Sequence, residues 1–366
     1  MTDISPSSHE NSQTASLRAP IKLRASLHTT IWGGRRLATL AGKAIPEDAL
    51  IGESWETALD AIAENAPYEG ETLGALTERY GEALIGSRAV AVFGERFPLL
   101  TKFIDAHQWL SVQVHPDDAY ANEHEGGKLG KTETWYILHA EPGAQIVYGV
   151  KRPVTRDEVR QAIEETRLET LLNHVEARAG DVIFVPAGTV HAIGAGVALY
   201  ELQEYSDITY RLYDYGRLQA NGQPRELHVE RALDVMRTTP HAVVHVRPIT
   251  CGAPSDGYMR RTLVGCRYFV MDELTLDGLA KAAIGEVTPA SCQIVTVLEG
   301  AAEIAGQTED GVRLGVGETA VLPATMGAWR IHSTGNEQAR IMRSYVPTES
   351  DPALLAWQAA QPVQAG

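Results

Sequence analysis

Short stretches of alternating apolar and polar positions dominate this chain, and helical stripes are few. Val197-Ala-Leu-Tyr-Glu201-Leu-Gln-Glu204 alternates, Ser111-Val-Gln-Val-His115 repeats with period two, and Lys131-Thr-Glu133-Thr-Trp-Tyr-Ile-Leu is a strand-like run with a buried apolar tail. A helical period emerges from about Thr72 to Arg96, where Leu73, Leu76, Tyr80, Leu84 and Ile85 recur mostly every three or four residues. A second helix is predicted from the capping box Thr155 to Glu158, its stripe of Val159, Ile163, Leu168, Leu171 and Leu172 running toward Asn173. A third lies at His228 to Arg237. The pattern predicts a mainly β protein with a helical insertion at about 72–96.

The chain also contains a near-repeat. Gly180-Asp-Val-Ile-Phe-Val-Pro186-Ala-Gly188-Thr-Val-His191 is answered by Gly317-Glu-Thr-Ala-Val-Leu-Pro323-Ala-Thr325-Met-Gly-Ala328, with Thr325 in place of the turn glycine and Ala328 in place of the histidine. Two related β-sandwiches or barrels are therefore expected: one spanning 17–241 and one spanning 242–346, with a flexible tail at 1–16 and another at 347–366. Only the first half keeps the histidine.

Composition narrows the function classes. At 366 residues with 44% apolar content, the chain is long enough for two cores, and its formal charge of −15 argues against broad nucleic-acid binding, which needs a concentrated basic surface. No apolar run is long enough to span a membrane. The residues before Ser16 lack the basic and apolar blocks of a signal peptide. Three cysteines, Cys251, Cys266 and Cys292, without a CxxC, support neither a disulfide framework nor a thiolate metal site and fit a reducing cytoplasm. A small anion remains open as a ligand, with Lys131, Arg211 and Arg217 as candidate cations.

The chemistry concentrates on four residues. Gly180 to His191 reads as strand, tight turn and an inward-pointing imidazole. Gln113 and His115, at i and i+2, share one strand face, and Glu133 opens the next strand-like run. Gln113, His115, Glu133 and His191 form a nitrogen and oxygen donor set with no thiolate, suited to Zn²⁺ or another borderline divalent ion in an open, catalytic site. Trp32 and Trp55 are expected to pack, and Asp117 and Asp118 to shape the turn after the ligand strand.

Gly, five residues, then Pro-x-Gly-x-x-His at Gly180, Pro186, Gly188 and His191 matches the second cupin motif. Within that superfamily, Phe97 to Ala106, Leu110 to Asp118, Gly130 to Tyr136 and Ser206 to Arg211 resemble type I phosphomannose isomerases, in their shorter form, over roughly residues 20 to 345. The resemblance implies two cupin (jelly-roll) domains with a helical insertion in the catalytic half, the second domain lacking metal. It implies one zinc ion on Gln113, His115, Glu133 and His191, mannose 6-phosphate and fructose 6-phosphate as substrates, and sugar-pocket roles for Lys131, Glu201 and Arg211. The chain departs from longer members at Gly130, where they commonly carry a histidine, so no base can stand there.

Aldose–ketose isomerisation through a cis-enediol needs an electrophile and a proton shuttle, for which Glu201 and Lys131 both qualify, while Arg211 would stabilise the charge that develops on oxygen. The phosphate is expected at Ser111 and Arg217, with Lys131 competing. A cupin dioxygenase and a non-catalytic sugar-binding cupin are the other readings; glutamine in the donor set disfavours the first, and the presence of Lys131, Glu201 and Arg211 disfavours the second. The expected assembly is a monomer or homodimer.

Overall fold

The computed structural model describes residues 17–361 except 220, 243, 252–257, 279–282, 307–310 and 336, so the expected tail at 1–16 lies outside the described residues. Among the described residues the chain is mainly β, with four antiparallel sheets that pack as two cupin sandwiches. The first sandwich pairs a six-stranded sheet, in the order Val182–Val185, Glu133–Ala140, Val197–Glu204, Leu99–Ala106, Ile51–Trp55, Ser26–Gly34, with a five-stranded sheet. That second sheet runs Tyr210–Tyr213, Val112–Val114, His191–Ile193, Gln145–Val150, Leu172–Glu176. Trp135, Ile137, Ile146, Ile183 and Leu199 fill the space between them.

The opposite face of the six-stranded sheet is buried as well. Phe103, Tyr200 and Leu202 pack against Ile294, Val321 and Met342 of the second sandwich, and Tyr200 Oη meets Thr296 Oγ1 at 3.1 Å. This double burial explains why every residue of Val197–Glu204 is buried although the sequence alternates: Glu201 and Gln203 share the face of Val197 and Leu199 toward the first sandwich's interior, while Tyr200, Leu202 and Glu204 lie on the other face. The second sandwich pairs an eight-stranded with a four-stranded sheet around Leu274, Val295, Ile304, Trp329 and Ile341. The repeat segments occupy matching places, with Thr319–Leu322 and Ala328–Ser333 standing as Val182–Val185 and His191–Ile193 do.

Three elements depart from the sequence reading. Ile21–Arg24 leaves the first half to pair with Thr319–Leu322, Ile21 opposite Val321, so the boundary at 241/242 does not separate the sheets. The segment expected as a tail at 347–366 carries the helix Pro352–Ala360, capped by Asp351, which buries Leu354 and Trp357. The helix begun at the Thr155 cap stops at Glu164 rather than reaching Asn173, because Thr166 takes a φ of 56° and the chain turns into the strand Leu172–Glu176. The stripe at 72–96 resolves into three short helices, Leu73–Tyr80, Glu82–Ile85 and Ser87–Phe93, that brace both sandwiches. Among the described residues no helix is long and apolar enough to cross a membrane.

Candidate active site

Strand register assembles the site. On the five-stranded sheet Gln113 lies directly between His191 and Arg211, so these three side chains form one row, with His115 two residues along the same strand direction. On the facing sheet Glu133 pairs with Gln203, and Glu201 lies between Lys102 and Trp135. Each ligand therefore comes from a hydrogen-bonded strand or strand end rather than a free loop. The turn that carries His191 is fixed by Gly188, whose φ of 83° suits glycine and whose N–H donates to the His115 carbonyl at 2.8 Å, tying the two ligand segments together.

His115, Glu133 and His191 are buried, and their donor atoms lie within 4.8 Å of one another. His115 Nδ1 donates to the Ile208 carbonyl at 2.7 Å and His191 Nδ1 to the Thr189 carbonyl at 2.9 Å. A carbonyl only accepts, so in each neutral ring Nε2 is left with its lone pair exposed toward Glu133. Burial pushes the pKa of both imidazoles down, His115 well below its ordinary value and His191 to about 4, with the Lys131 charge adding to the effect on each. Both rings are thus neutral acceptors, yet they face acceptor oxygens: Glu133 Oε1 is 3.3 Å from His191 Nε2 and Oε2 is 3.5 Å from His115 Nε2.

Lone pairs opposed to carboxylate oxygens at these distances need a cation between them. His115 Nε2 and both Glu133 oxygens make no hydrogen bond, although Lys131 Nζ approaches Oε2 at 3.0 Å as an ion-pair partner. The donor set and its unsatisfied atoms fit a divalent metal. Gln113 places its amide nitrogen 3.3 Å from His191 Nε2 and its oxygen 3.2 Å from Ser111 Oγ; reversing the amide would turn the oxygen toward the cluster.

Beside the cluster opens a cavity of about 260 Å³ lined by Lys131, Glu201, Arg211 and Ser111, and also by Glu53, Trp55, Lys102 and Arg225. Glu201 Oε2 accepts from Trp135 Nε1 at 3.1 Å while Oε1 makes no hydrogen bond. Burial raises its pKa, and the Glu133 charge raises it further. Lys131 is affected first by burial, which works against its charge, but Glu133, Glu201 and Glu53 outweigh that and hold it protonated. Arg211 donates to the Glu226 carbonyl at 2.8 Å and keeps a buried Nε without a hydrogen-bond partner.

The expected residues do not all converge. Arg217 is drawn away by Asp214 and the Trp109 carbonyl and does not line the cavity; Arg225, also bound to Asp214 and with Nε at 2.7 Å, does. Trp32 and Trp55 line the cavity as well as packing, and Lys102 Nζ stands 4.5 Å from the Trp55 ring centroid. Lys102, between Glu53 at 3.4 Å and Glu201 at 3.6 Å, lies in the segment Phe97 to Ala106 that carries the resemblance but was not singled out as a site residue. Its physical signal is a lysine inside a mostly apolar strand, Leu99–Ala106, whose eight residues are all buried.

Residues 21–130 match the family model for the catalytic domain of type I phosphomannose isomerase. A mannose-6-phosphate isomerase of Streptococcus mutans is 36% identical over 324 residues, which span 85% of this chain and 94% of that protein. Mannose-6-phosphate isomerase ManA of Bacillus subtilis is 39% identical over 289 residues, 77% of this chain and 86% of that one. The crystal structure of the mannose 6-phosphate isomerase from Bacillus subtilis aligns with a TM-score of 0.77 at 35% identity, covering 89% of this chain and 99% of that chain.

Proposed function

The chain belongs to the type I phosphomannose isomerases, and from that premise we propose that it interconverts mannose 6-phosphate and fructose 6-phosphate through a cis-enediol at the cavity beside His115, Glu133 and His191. The observation that carries the proposal is the opposition of two neutral imidazole lone pairs to a buried carboxylate, at the wall of a cavity that also presents an acid–base carboxylate and fixed cations. Gln113, His115, Glu133 and His191 would hold one Zn²⁺. When bound, the ion supplies Lewis acidity toward the oxygen on C1 or C2 of the sugar.

The chain's own groups divide the remaining work. Glu201 is the group we assign to proton exchange, since Oε1 has no hydrogen bond and its raised pKa brings it toward the range a general base needs. The proton leaves C2 for Glu201 and returns to C1 on the same face, while the hydroxyl proton of O2 passes to O1, so that the C1 carbonyl becomes a hydroxyl as the C2 hydroxyl becomes a carbonyl. Lys131, kept protonated by three carboxylates, donates to substrate oxygen instead of abstracting a proton. Arg211 offers a permanently charged donor to the oxygen on which charge develops. Ser111 and Arg225 are the phosphate contacts we favour, Arg225 taking the place the sequence suggested for Arg217. The reaction is assigned to the cytoplasm, where the free thiols of Cys251, Cys266 and Cys292 persist, and to a monomer or homodimer.

Conversion of mannose 6-phosphate by the purified protein, beside its His191→Ala variant, tests the proposal. Turnover in the wild type and none in the variant is expected. Equal turnover in both would remove the metal cluster from the reaction, and oxygen consumption with a sugar substrate would replace the isomerase reading by the dioxygenase one.

A further inference from the structure

Asp214 ties the arginine that reaches the isomerase cavity to one that does not. Its carboxylate is buried, with a side-chain exposure of 6%, and both oxygens are engaged: Oδ2 accepts from Arg225 Nε at 2.7 Å, while Oδ1 accepts from Arg225 Nη2 at 2.5 Å and from Arg217 Nη2. Arg225 therefore meets Asp214 as a two-pronged fork, which fixes the plane of its guanidinium as a single contact would not. Among the described residues its Nη1 has no hydrogen-bond partner, and Arg225 lines the cavity. Arg217, by contrast, is fully occupied by the protein: Nε donates to the Asp214 carbonyl at 3.3 Å, Nη2 to the Asp214 carboxylate and Nη1 to the Trp109 carbonyl.

The backbone brings the three residues together. After the strand Tyr210–Tyr213 comes a tight turn in which Arg217 N–H donates to the Asp214 carbonyl at 3.1 Å and both central residues have positive φ, 58° at Tyr215 and 66° at Gly216. Glycine takes that conformation freely and tyrosine rarely, so the surroundings override a local preference in order to fold Arg217 back over Asp214. The chain then runs out and returns, Leu218 bridging Pro224 and Gln219 N–H donating to the Gln223 carbonyl at 2.9 Å, and it delivers Arg225 to the carboxylate from which the excursion began. Burial works to raise the Asp214 carboxyl, but Arg225 and Arg217 outweigh it and hold it below its usual range, so the acceptor of the fork stays ionised. Among the described residues Asp214 is the only carboxylate ion-paired with Arg217 or Arg225, and Arg211, close enough to feel the Arg225 charge, has no ion-pair partner. Three guanidinium groups thus share one buried negative charge; Asp207, which also lines the cavity, is exposed and paired with Lys128.

We propose that Asp214 is a positioning residue for the isomerase reaction, setting the plane of the Arg225 guanidinium so that the donors left free meet the phosphate of the substrate. The inference rests on the assignment of Arg225 to the phosphate, and its test separates the two. Steady-state kinetics with mannose 6-phosphate on the metal-loaded wild type, Asp214→Asn, Arg225→Gln and the double variant form a cycle. A phosphate contact remote from C1 and C2 holds substrate and transition state alike, so its loss shows in KM. Arg225→Gln is expected to raise KM about 10-fold or more and Asp214→Asn about 5-fold or more, each with kcat within about 3-fold, and the double variant is expected to be no worse than Arg225→Gln alone. Asp214→Glu keeps the charge but displaces the fork by one methylene; it should raise KM about 3-fold or more and carries the test if Asp214→Asn does not fold. Unchanged KM in the Asp214 variants beside a raised KM in Arg225→Gln would overturn the inference and leave the phosphate assignment standing, whereas unchanged KM in Arg225→Gln would overturn both. Effects that multiply in the double variant, or a loss confined to kcat, would also overturn the inference, because Asp214 would then act by some route other than Arg225.

Discussion

The second sandwich holds the metal-ligand segment partly through hydrogen bonds to Asp118, and removing one of them has a calculable effect. Tyr268, in the turn before the strand Val270–Leu276, donates its hydroxyl to Asp118 Oδ2 at 2.7 Å, and Arg267 donates to the same oxygen at 2.9 Å. Asp118 Oδ1 accepts from Gly130 N–H at 3.0 Å, and Glu204 Oε1 accepts from Thr132 N–H at 2.7 Å, so both sides of Lys131 are held. Burial alone would push the Asp118 carboxyl up, but the Tyr268 and Gly130 bonds outweigh it and keep it below its usual range. Tyr268→Phe removes one hydrogen bond to a charged acceptor, worth about 1.5–3 kcal/mol. Because Arg267 still satisfies that oxygen, the lower end of about 1.5 kcal/mol is expected.

Urea unfolding of the metal-loaded wild type, Tyr268→Phe, Asp118→Ala and the double variant measures it as a cycle. A coupling of about 1 kcal/mol or more is expected, together with a fall in turnover of a few-fold at unchanged metal content, since Lys131 loses part of its backbone support. Additive single effects, within about 0.3 kcal/mol, would refute the reasoning and show that the Tyr268 hydroxyl does not stabilise Asp118.

Other perturbations separate the roles. Arg211→Ala is expected to lower turnover by about 100-fold or more while metal content stays near that of the wild type, checked by steady-state kinetics and elemental analysis of the same preparation; metal lost in proportion would deny its assigned role. Gly194→Ala would set a Cβ 1.8 Å from the Gln145 carbonyl, so a loss of about 3 kcal/mol or failure to fold is expected on chemical denaturation. His241, pushed down to about 4 by burial and by Arg237, binds its proton less readily folded than unfolded. Its contribution to stability is complete above about pH 6.5 and declines as pH falls toward 4, and His241→Gln should flatten thermal stability measured across that window.

How far the sequence disclosed this molecule depended on whether the signal was local. Gly180 to His191 combines a strand, a turn glycine and a ligand within twelve residues, and the period-two spacing of Gln113 and His115 needs only strand geometry. The near-repeat at Gly317 disclosed the second sandwich in the same way. Lys102 and Glu53 escaped as cavity residues because cross-strand pairing brings them beside Glu201, and no spacing within Leu99–Ala106 or Ile51–Trp55 expresses that pairing. That Arg225 and not the expected Arg217 lines the cavity likewise has no sequence signal: Asp214 binds both, and Arg217 alone is also held by the Trp109 carbonyl. The terminal helix did carry a local signal, Asp351 followed by Pro352 with Leu354 and Trp357 three apart, which its alanine- and glutamine-rich composition obscured.

The dependence of turnover on bound metal is the most direct test of the role of His115, Glu133 and His191. In a titration of chelator-stripped protein with zinc, mannose 6-phosphate turnover should rise in proportion to metal bound and level off at one equivalent per chain, with His191→Ala remaining flat. Turnover that survives stripping, or that fails to return when one equivalent is bound, would contradict the assignment of the reaction to His115, Glu133 and His191.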